Sequence, residues 1–430
     1  MKTRYALVGT GARARLYYEA VALTYQETCE MAAFCDLSPT RLNYANRMLT
    51  EVYGAPAVPV YYYTQFDKMI DETKPDCVIV TSVDRTHHHY IIRAMEKGCD
   101  VITEKPMTID AEKAQAIIDC QKRTGRKLRV TFNYRYAPHN SKVRELIKSG
   151  AIGDVFSVHF EWLLNTRHGA DYFRRWHRNK LNSGGLLVHK STHHFDLVNF
   201  WLGTEPDKVF AYGGLNFYGM ANAESRGETK FYYRSYGSEA AKGDPFALDM
   251  ESGEALKELY LDAEADSGYV RDRSVFSDDI SIEDTIGVLV KYKSGAILTY
   301  SLNAYMPWEG FNVNINGSKG RIELKVVESS YVNAGGAQAD EGAAMSSALT
   351  VRPMFGEPRE VEIGAKAGSH GGGDAVMLDD IFGAPERDPL ERAASHLDGA
   401  MSILTGIAAN ISIASGREIK IDEFIKFNAE

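Results

Sequence analysis

The sequence predicts two domains of different class. The first is an α/β unit with a doubly wound parallel sheet. The second is an α+β unit with a large, mostly antiparallel open sheet. Three observations predict this. Short apolar strands alternate with helical stretches over residues 1–132. Hairpin patterns without helices between them dominate later in the chain. The length, 430 residues, suits two or three domains rather than one.

In the first domain, residues 1–132, strands are expected at Tyr5–Val8, Met31–Cys35, Cys77–Thr81, Asp100–Thr103 and Leu128–Phe132. Helices are expected at Arg13–Leu23, Pro39–Leu49, Thr86–Lys97 and Ala111–Arg123. The strands lack polar alternation, as strands covered on both faces do, and βαβ units of this kind wind right-handed. In the second domain, residues 133–430, Asp154–Trp162 reads as a strand and His189–Trp201 as a helix. Ile286–Tyr292 and Ala296–Leu302 flank one turn, Lys293-Ser294-Gly295. Phe311–Ile315 and Arg321–Leu324 flank another, Asn316–Gly320. Asn216–Asp279 is long, charged and tyrosine-rich without a clean period, which suits a lid or an oligomer arm. Ser329–Ser347 is small, polar and expected to be mobile. A closing helix is expected from Leu390 to about Ser415, ended by Gly416.

Hydrophobic residues at 44% and charged residues at 25% exclude a disordered or fibrous chain. A net charge of −9 argues against sequence-independent nucleic-acid binding. No apolar run approaches the length needed to span a bilayer, and Met1–Gly9 lacks the apolar region of a signal peptide. Cys29, Cys35, Cys77, Cys99 and Cys120 have no metal-ligand or C-x-x-C spacing, so reduced cytoplasmic thiols are expected.

The first strand runs into Gly9-Thr10-Gly11-Ala12-Arg13-Ala14, a G-x-G-x-x-A pattern. Gly9 permits a tight turn, Gly11 lets the backbone approach a pyrophosphate, and Ala14 keeps the helix close to the sheet. Ala12 and Arg13 lie at the helix N-terminus, where free N–H groups and the dipole favour an anion. Asp36 ends the second strand, 25 residues beyond Gly11, where a carboxylate accepts both ribose hydroxyls of NAD and repels a 2′-phosphate. Together these features make a Rossmann dinucleotide site for NAD. Arg41 leaves NADP open as the less favoured cofactor.

Gly98-Cys99-Asp100-Val101-Ile102-Thr103-Glu104-Lys105-Pro106 puts a lysine at the carboxyl end of a strand, at the crevice of the sheet. This segment resembles the glucose–fructose oxidoreductase and inositol dehydrogenase family, Gfo/Idh/MocA. The resemblance extends to the nucleotide motif, to Arg135 with Pro138, and to the Gly184–Gly203 helix. It implies a Rossmann domain followed by an open-sheet domain, and nicotinamide-dependent oxidation or reduction of a sugar or cyclitol carbon. It also implies that Lys105 lies between nicotinamide and substrate, with Glu104 orienting it, and that Arg135 contacts substrate. The open sheet implies a homodimer or homotetramer.

Gly184-Gly185 leads to His189, His193 and His194. His193 falls on the family's catalytic histidine. His189 falls where the family has aspartate, a departure that leaves the proton-relay partner open. At i and i+4 on one helix the two share a face. A neutral imidazole suits a base near pH 7. His194 reads as a core residue. The same pair also has zinc-ligand spacing, with His159, Glu161 or His177 as a third ligand that spacing does not nominate; the assignment adopted is a catalytic pair and no metal. Thr81-Ser82-Val83-Asp84 stands where the family has Thr-Pro-Asn against the cofactor, so Ser82 and the following His87 are expected cofactor contacts. Arg167–Arg178 is dense in arginine, histidine and aromatics, and Trp176, His177 and Arg178 are expected to hold a carbohydrate.

The expected function is therefore NAD-dependent hydride transfer at a carbinol carbon of a sugar, glycoside or cyclitol. A second reading is a redox-neutral glycosidase working through a transient keto-sugar, suggested by His370-Gly371-Gly372-Gly373-Asp374. A third is a non-catalytic NAD-binding sensor.

Overall fold

The computed structural model describes residues 1–332, 346–364, 372–383 and 388–424. The expected mobile stretch (Ser329–Ser347) therefore lies largely outside the described residues, as do His370 and Gly371.

The first sheet takes β1 (Thr3–Val8), β2 (Cys29–Asp36), β3 (Val60–Tyr62), β4 (Cys77–Val80), β5 (Asp100–Thr103) and β6 (Leu128–Val130). Their pairings are all parallel, in the order β6-β5-β4-β1-β2-β3. The chain reverses direction across the sheet between β1 and β4. That switch point opens a crevice beyond the carboxyl ends of the strands. β4 is buried at every residue, which explains its unbroken apolar sequence. Helix Pro39–Arg47 starts on a proline, with Ser38 accepting the Arg41 N–H. Helix Ala111–Thr124 is capped by Asp110 and stops at Gly125 in the left-handed region. β3 carries no signal in its three residues. The first expected helix begins at Ala14 and widens into a looser turn over Ala20–Thr24.

The second sheet takes β7 (Val155–Asn165), β8 (Pro206–Gly214), β9 (Thr285–Tyr292), β10 (Ile297–Met306), β11 (Glu309–Gly317), β12 (Gly320–Ser329), β13 (Ser346–Pro353) and β14 (Arg359–Glu360). Two short strands near the C-terminus complete the set, β15 (Ala394–Ser395) and β16 (Ile419–Lys420). The order of the second sheet is β14-β13-β12-β11-β7-β10-β9-β8-β16, and among its pairs β7–β10 alone is parallel. Both expected hairpins form, around β9–β10 and β11–β12. β9 alternates buried and exposed residues along its length, so one face is covered and the other open. Helices Ser191–Leu202 and His396–Ser415 cover the buried face.

Four expectations change. The helix expected over His189–Trp201 is two pieces, Leu186–His189 and Ser191–Leu202, so His189 and His193 do not share one regular face. The closing helix begins at His396, where Ser395 caps it, and not at Leu390. The division at residue 132 is not clean: β15 pairs with β6, covering what would be an open edge, and Leu378 and Phe382 pack into the first core. Finally, one helix among the described residues, His396–Ser415, is long and apolar enough to cross a bilayer. Most of it is buried as core, which accounts for its composition.

Candidate functional site

One cavity of about 650 Å3 runs from Asp36 to His193 along the crevice of the first sheet. At its first end, the Gly9 N–H donates to the Cys35 carbonyl. Gly9 has φ +93°, and a Cβ there would lie 2.5 Å from the Ser82 nitrogen, so only glycine fits. Gly11, Ala12 and Arg13 line the cavity, while Ala14 lies buried beneath it at the start of its helix. Asp36 is 6% exposed. Its Oδ2 accepts from the Thr10 N–H and hydroxyl, and its Oδ1 from the Ser38 N–H. Three of its roughly four acceptor sites are thus used within the protein, leaving about one for a ligand.

Residues of the long Asn216–Asp279 stretch fold over this end. Leu259 packs into the core of the first domain. Arg47 pairs with Glu258, and Ser38 donates to Asp266. The Tyr260 hydroxyl accepts the Ala12 N–H at 3.4 Å. Arg41 donates from Nε to the Leu259 carbonyl and stacks over the Tyr260 ring.

Midway, Glu104 accepts from Arg13 Nε at 2.5 Å, the Tyr17 hydroxyl at 2.6 Å and the Lys105 backbone N–H at 3.2 Å. It ties the glycine-turn helix to the end of β5. Burial opposes its ionisation, but Arg13, Tyr17 and Lys105 outweigh this and hold its carboxyl below the usual value. His87 places its ring nitrogens against the Pro106 and Ser82 carbonyls, at 2.8 and 2.9 Å. It thereby pins the loop that carries Ser82, and burial lowers its pKa. Both residues line the cavity.

At the other end, Lys105, Asp84, Trp176, His177, His189 and His193 converge. His193 packs against the rings of Tyr134 and Phe132. His189 Nδ1 meets Asp84 Oδ2 at 2.5 Å. Burial pushes the Asp84 carboxyl well up, against the pull of Lys105 and Arg175. His177 stacks on Trp176 at 3.6 Å and lies 4.2 Å from the His189 ring. Burial lowers its pKa strongly, and His189, Arg175 and Lys105 add to this.

Two expected substrate residues are elsewhere. Arg135 is 2% exposed and forms an ion-pair triad with Asp196 and Asp398. Its Nε and Nη2 join helices Ser191–Leu202 and His396–Ser415 to the turn before Pro138, and it does not line the cavity, so it is not a substrate contact. Arg178 is buried against Ser277 and Asp279, where it anchors the long insertion. His194 is core: it bonds the Tyr300 hydroxyl and stacks on Trp162. His159 and Glu161 pair with Thr299 and Asn312 on the open face of the second sheet, away from the cavity. Asp374, in the first turn of helix Gly373–Phe382, accepts from Asn133 and pairs with Arg13. Sequence reasoning missed Asp84, Asn133, Asn182, Tyr260 and Tyr269 as lining residues. Asp84 had a signal, being two residues after Ser82 in the same strand-end loop, and Tyr260 and Tyr269 belong to the tyrosine-rich stretch expected as a lid or arm.

Residues 3–132 match the family described as "Oxidoreductase family, NAD-binding Rossmann fold", and residues 144–421 match its "C-terminal alpha/beta domain". The chain belongs to the Gfo/Idh/MocA family. Within that family it is 36% identical over 415 residues to the "Putative oxidoreductase YteT" of Bacillus subtilis (strain 168), covering 92% of each chain. It is 22% identical over 424 residues to the "Myo-inositol 2-dehydrogenase" of Thermotoga maritima, covering 98% of this chain and 99% of the relative. Among solved structures, the WlbA dehydrogenase from Bordetella pertussis in complex with NADH and UDP-GlcNAcA superposes with a TM-score of 0.62. It is 17% identical and the match covers 98% of this chain and 99% of that one, a likeness of fold. The chain is thus a member of an NAD-binding oxidoreductase family that includes sugar and cyclitol dehydrogenases.

Proposed function

We propose that this chain is an NAD-dependent dehydrogenase acting on a carbinol carbon of a sugar, glycoside or cyclitol. The observation that carries the reading is the single cavity linking Asp36 and the glycine turn to Lys105 and His193. The residues fit a dinucleotide: the turn has no room for a side chain at Gly9, and a buried carboxylate with one acceptor site left stands at the ribose position. The bound nicotinamide would accept or return a hydride at C4. Lys105 orients the reacting hydroxyl and stabilises developing alkoxide charge. His193 takes the hydroxyl proton on oxidation and returns it on reduction. Trp176 and His177 offer an aromatic wall and a polar edge, which suit a carbohydrate.

NAD is preferred over NADP in this reading. Asp36 and Asp266 put two carboxylates near the ribose position, and the Arg41 guanidinium is engaged by Leu259 and Tyr260. The open face of the second sheet exposes Phe156, Leu289 and Ile297, which supports a homodimer or homotetramer. All five cysteines are buried and free, which fits the reducing cytoplasm.

The test is incubation of purified protein and NAD+ with a panel of cyclitols, sugars and glycosides. NADH absorbance and product mass are followed together. NADH formed in step with a product two hydrogens lighter is expected. No NADH with any member, or glycoside cleavage without NADH, overturns the reading.

A further inference from the structure

The chemistry end holds a cluster that hydride transfer does not require. Asp84, His177 and His189 come from three separate segments: the loop after β4, the turn Trp176–Arg178, and the end of helix Leu186–His189. Each offers one donor atom, and the three atoms lie within 4.8 Å of one another. Two imidazoles and a carboxylate are the donor set of an open zinc-type site, with a fourth position left for water or substrate. We propose that these three residues bind a divalent transition cation of the zinc class, with its open position facing the cavity beside Lys105.

Three features support this. His177 is 2% exposed, and its Nδ1 is buried without a hydrogen-bond partner. A buried nitrogen left this way is costly unless something occupies it. All three residues line the cavity, so an exchangeable fourth position is reachable. The Asp84 carboxylate and the His189 ring already face each other, with Oδ2 and Nδ1 2.5 Å apart, and ligands of this kind exchange protons for a metal ion on binding. Zinc bonds of about 2.0–2.2 Å set ligand atoms roughly 3.4 Å apart, so small side-chain rotations within the cluster bring the donors into range.

Nearby charge does not forbid the ion. Lys105 and Arg175 are the cations acting on Asp84. Arg175 is paired with Asp171, and Glu104 lies beside Lys105. A substrate hydroxyl on the open position would meet a Lewis acid on one side and the lysine on the other. The existence of the site does not depend on the hydride-transfer reading; only its use does.

The test uses the full-length protein, stripped with a chelator, loaded with Zn2+ and desalted. Bound metal is then measured, with NAD+ binding followed separately as a check on the fold. One retained equivalent is expected, with protons released on loading. His177→Ala and His189→Gln should each weaken Zn2+ by more than the roughly 10–100-fold seen for outer-shell partners, while NAD+ binding persists. If either variant fails to bind NAD+, Asp84→Asn serves as the replacement, with the same expected loss of metal. No retained equivalent in the parent protein, or equal retention in a folded variant, overturns the site. Zinc retention without NADH formation on any substrate would sink the dehydrogenase reading and leave the site standing.

Discussion

The two ends of the cleft are built in opposite ways. The adenosine end rests on one local unit, β1, the glycine turn with its helix, and β2, over which the distant insertion is laid, and backbone groups do most of the work there. Gly9, Thr10, Asp36 and Ser38 satisfy one another through N–H groups, and Asp36 needs no charged partner. The chemistry end joins residues far apart in sequence, and side chains do the work. Its Asp84 carboxylate and His177 imidazole are buried, and burial is the main influence on the charge of each, with Lys105 and Arg175 acting on both. A site of the first kind tolerates little backbone change. A site of the second kind tolerates backbone change better than loss of one ionisable group.

The largest expected effect breaks the chemistry end alone. His193→Ala should lower turnover by roughly 10²–10⁴-fold. Lys105→Met should lower it by roughly 10²–10³-fold. NAD+ affinity by equilibrium titration should hold in both. The double variant should lose much less than the product of the two losses, because both act on one oxygen. Full turnover in His193→Ala would remove the proposed base.

Acid should weaken the fold through histidines that burial holds neutral, of which His177 alone lines the chemistry end. Burial lowers His139, behind the second sheet's core, from 6.5 to about 4. His177 and His194 are also lowered, by burial first and by neighbouring cations second. The folded state holds these rings neutral, so nothing is lost above pH 6.5, and for His139 stability is lost as pH falls from 6.5 towards about 4. His139 alone is worth up to ~3 kcal/mol over that window. Urea unfolding at pH 7, 6 and 5 should show stability falling, with a shallower fall in His139→Leu. Equal slopes for parent and variant would remove His139 from the account.

The matching break at the adenosine end is Gly9→Ala. The positive φ costs roughly 1–3 kcal/mol, and the clash with Ser82 adds to it. NAD+ affinity and melting temperature should both fall. Asp36→Ala should weaken NAD+ by roughly tenfold, the worth of one charge-assisted hydrogen bond, and narrow the gap to NADP+. A parent protein that prefers NADP+ contradicts this, with Arg41 the residue to test next. Least of all, Tyr260→Ala should shift NAD+ affinity by only a few fold, since its ring contributes about 1 kcal/mol through the flanking arginines. A large loss would mean that the insertion, and not the glycine turn, holds the dinucleotide.

The sequence alone determined the alternating first domain, both hairpins of the second sheet, and the glycine turn with Asp36. These rest on period, turn residues and local spacing, which act between neighbours in the chain. It also brought Lys105, His189 and His193 forward as residues for the chemistry. Tertiary structure decided the rest. Arg135 carries the look of a substrate residue, but folding delivers two carboxylates to it from helices 61 and 263 residues away. His189 and His193 are four apart, but the helix breaks between them at Lys190, and His189 finds Asp84 across 105 residues. Tyr260 reaches the Ala12 amide across 248 residues. Burial sets which of these groups carries charge, and burial is a property of the packed chain that no local spacing encodes.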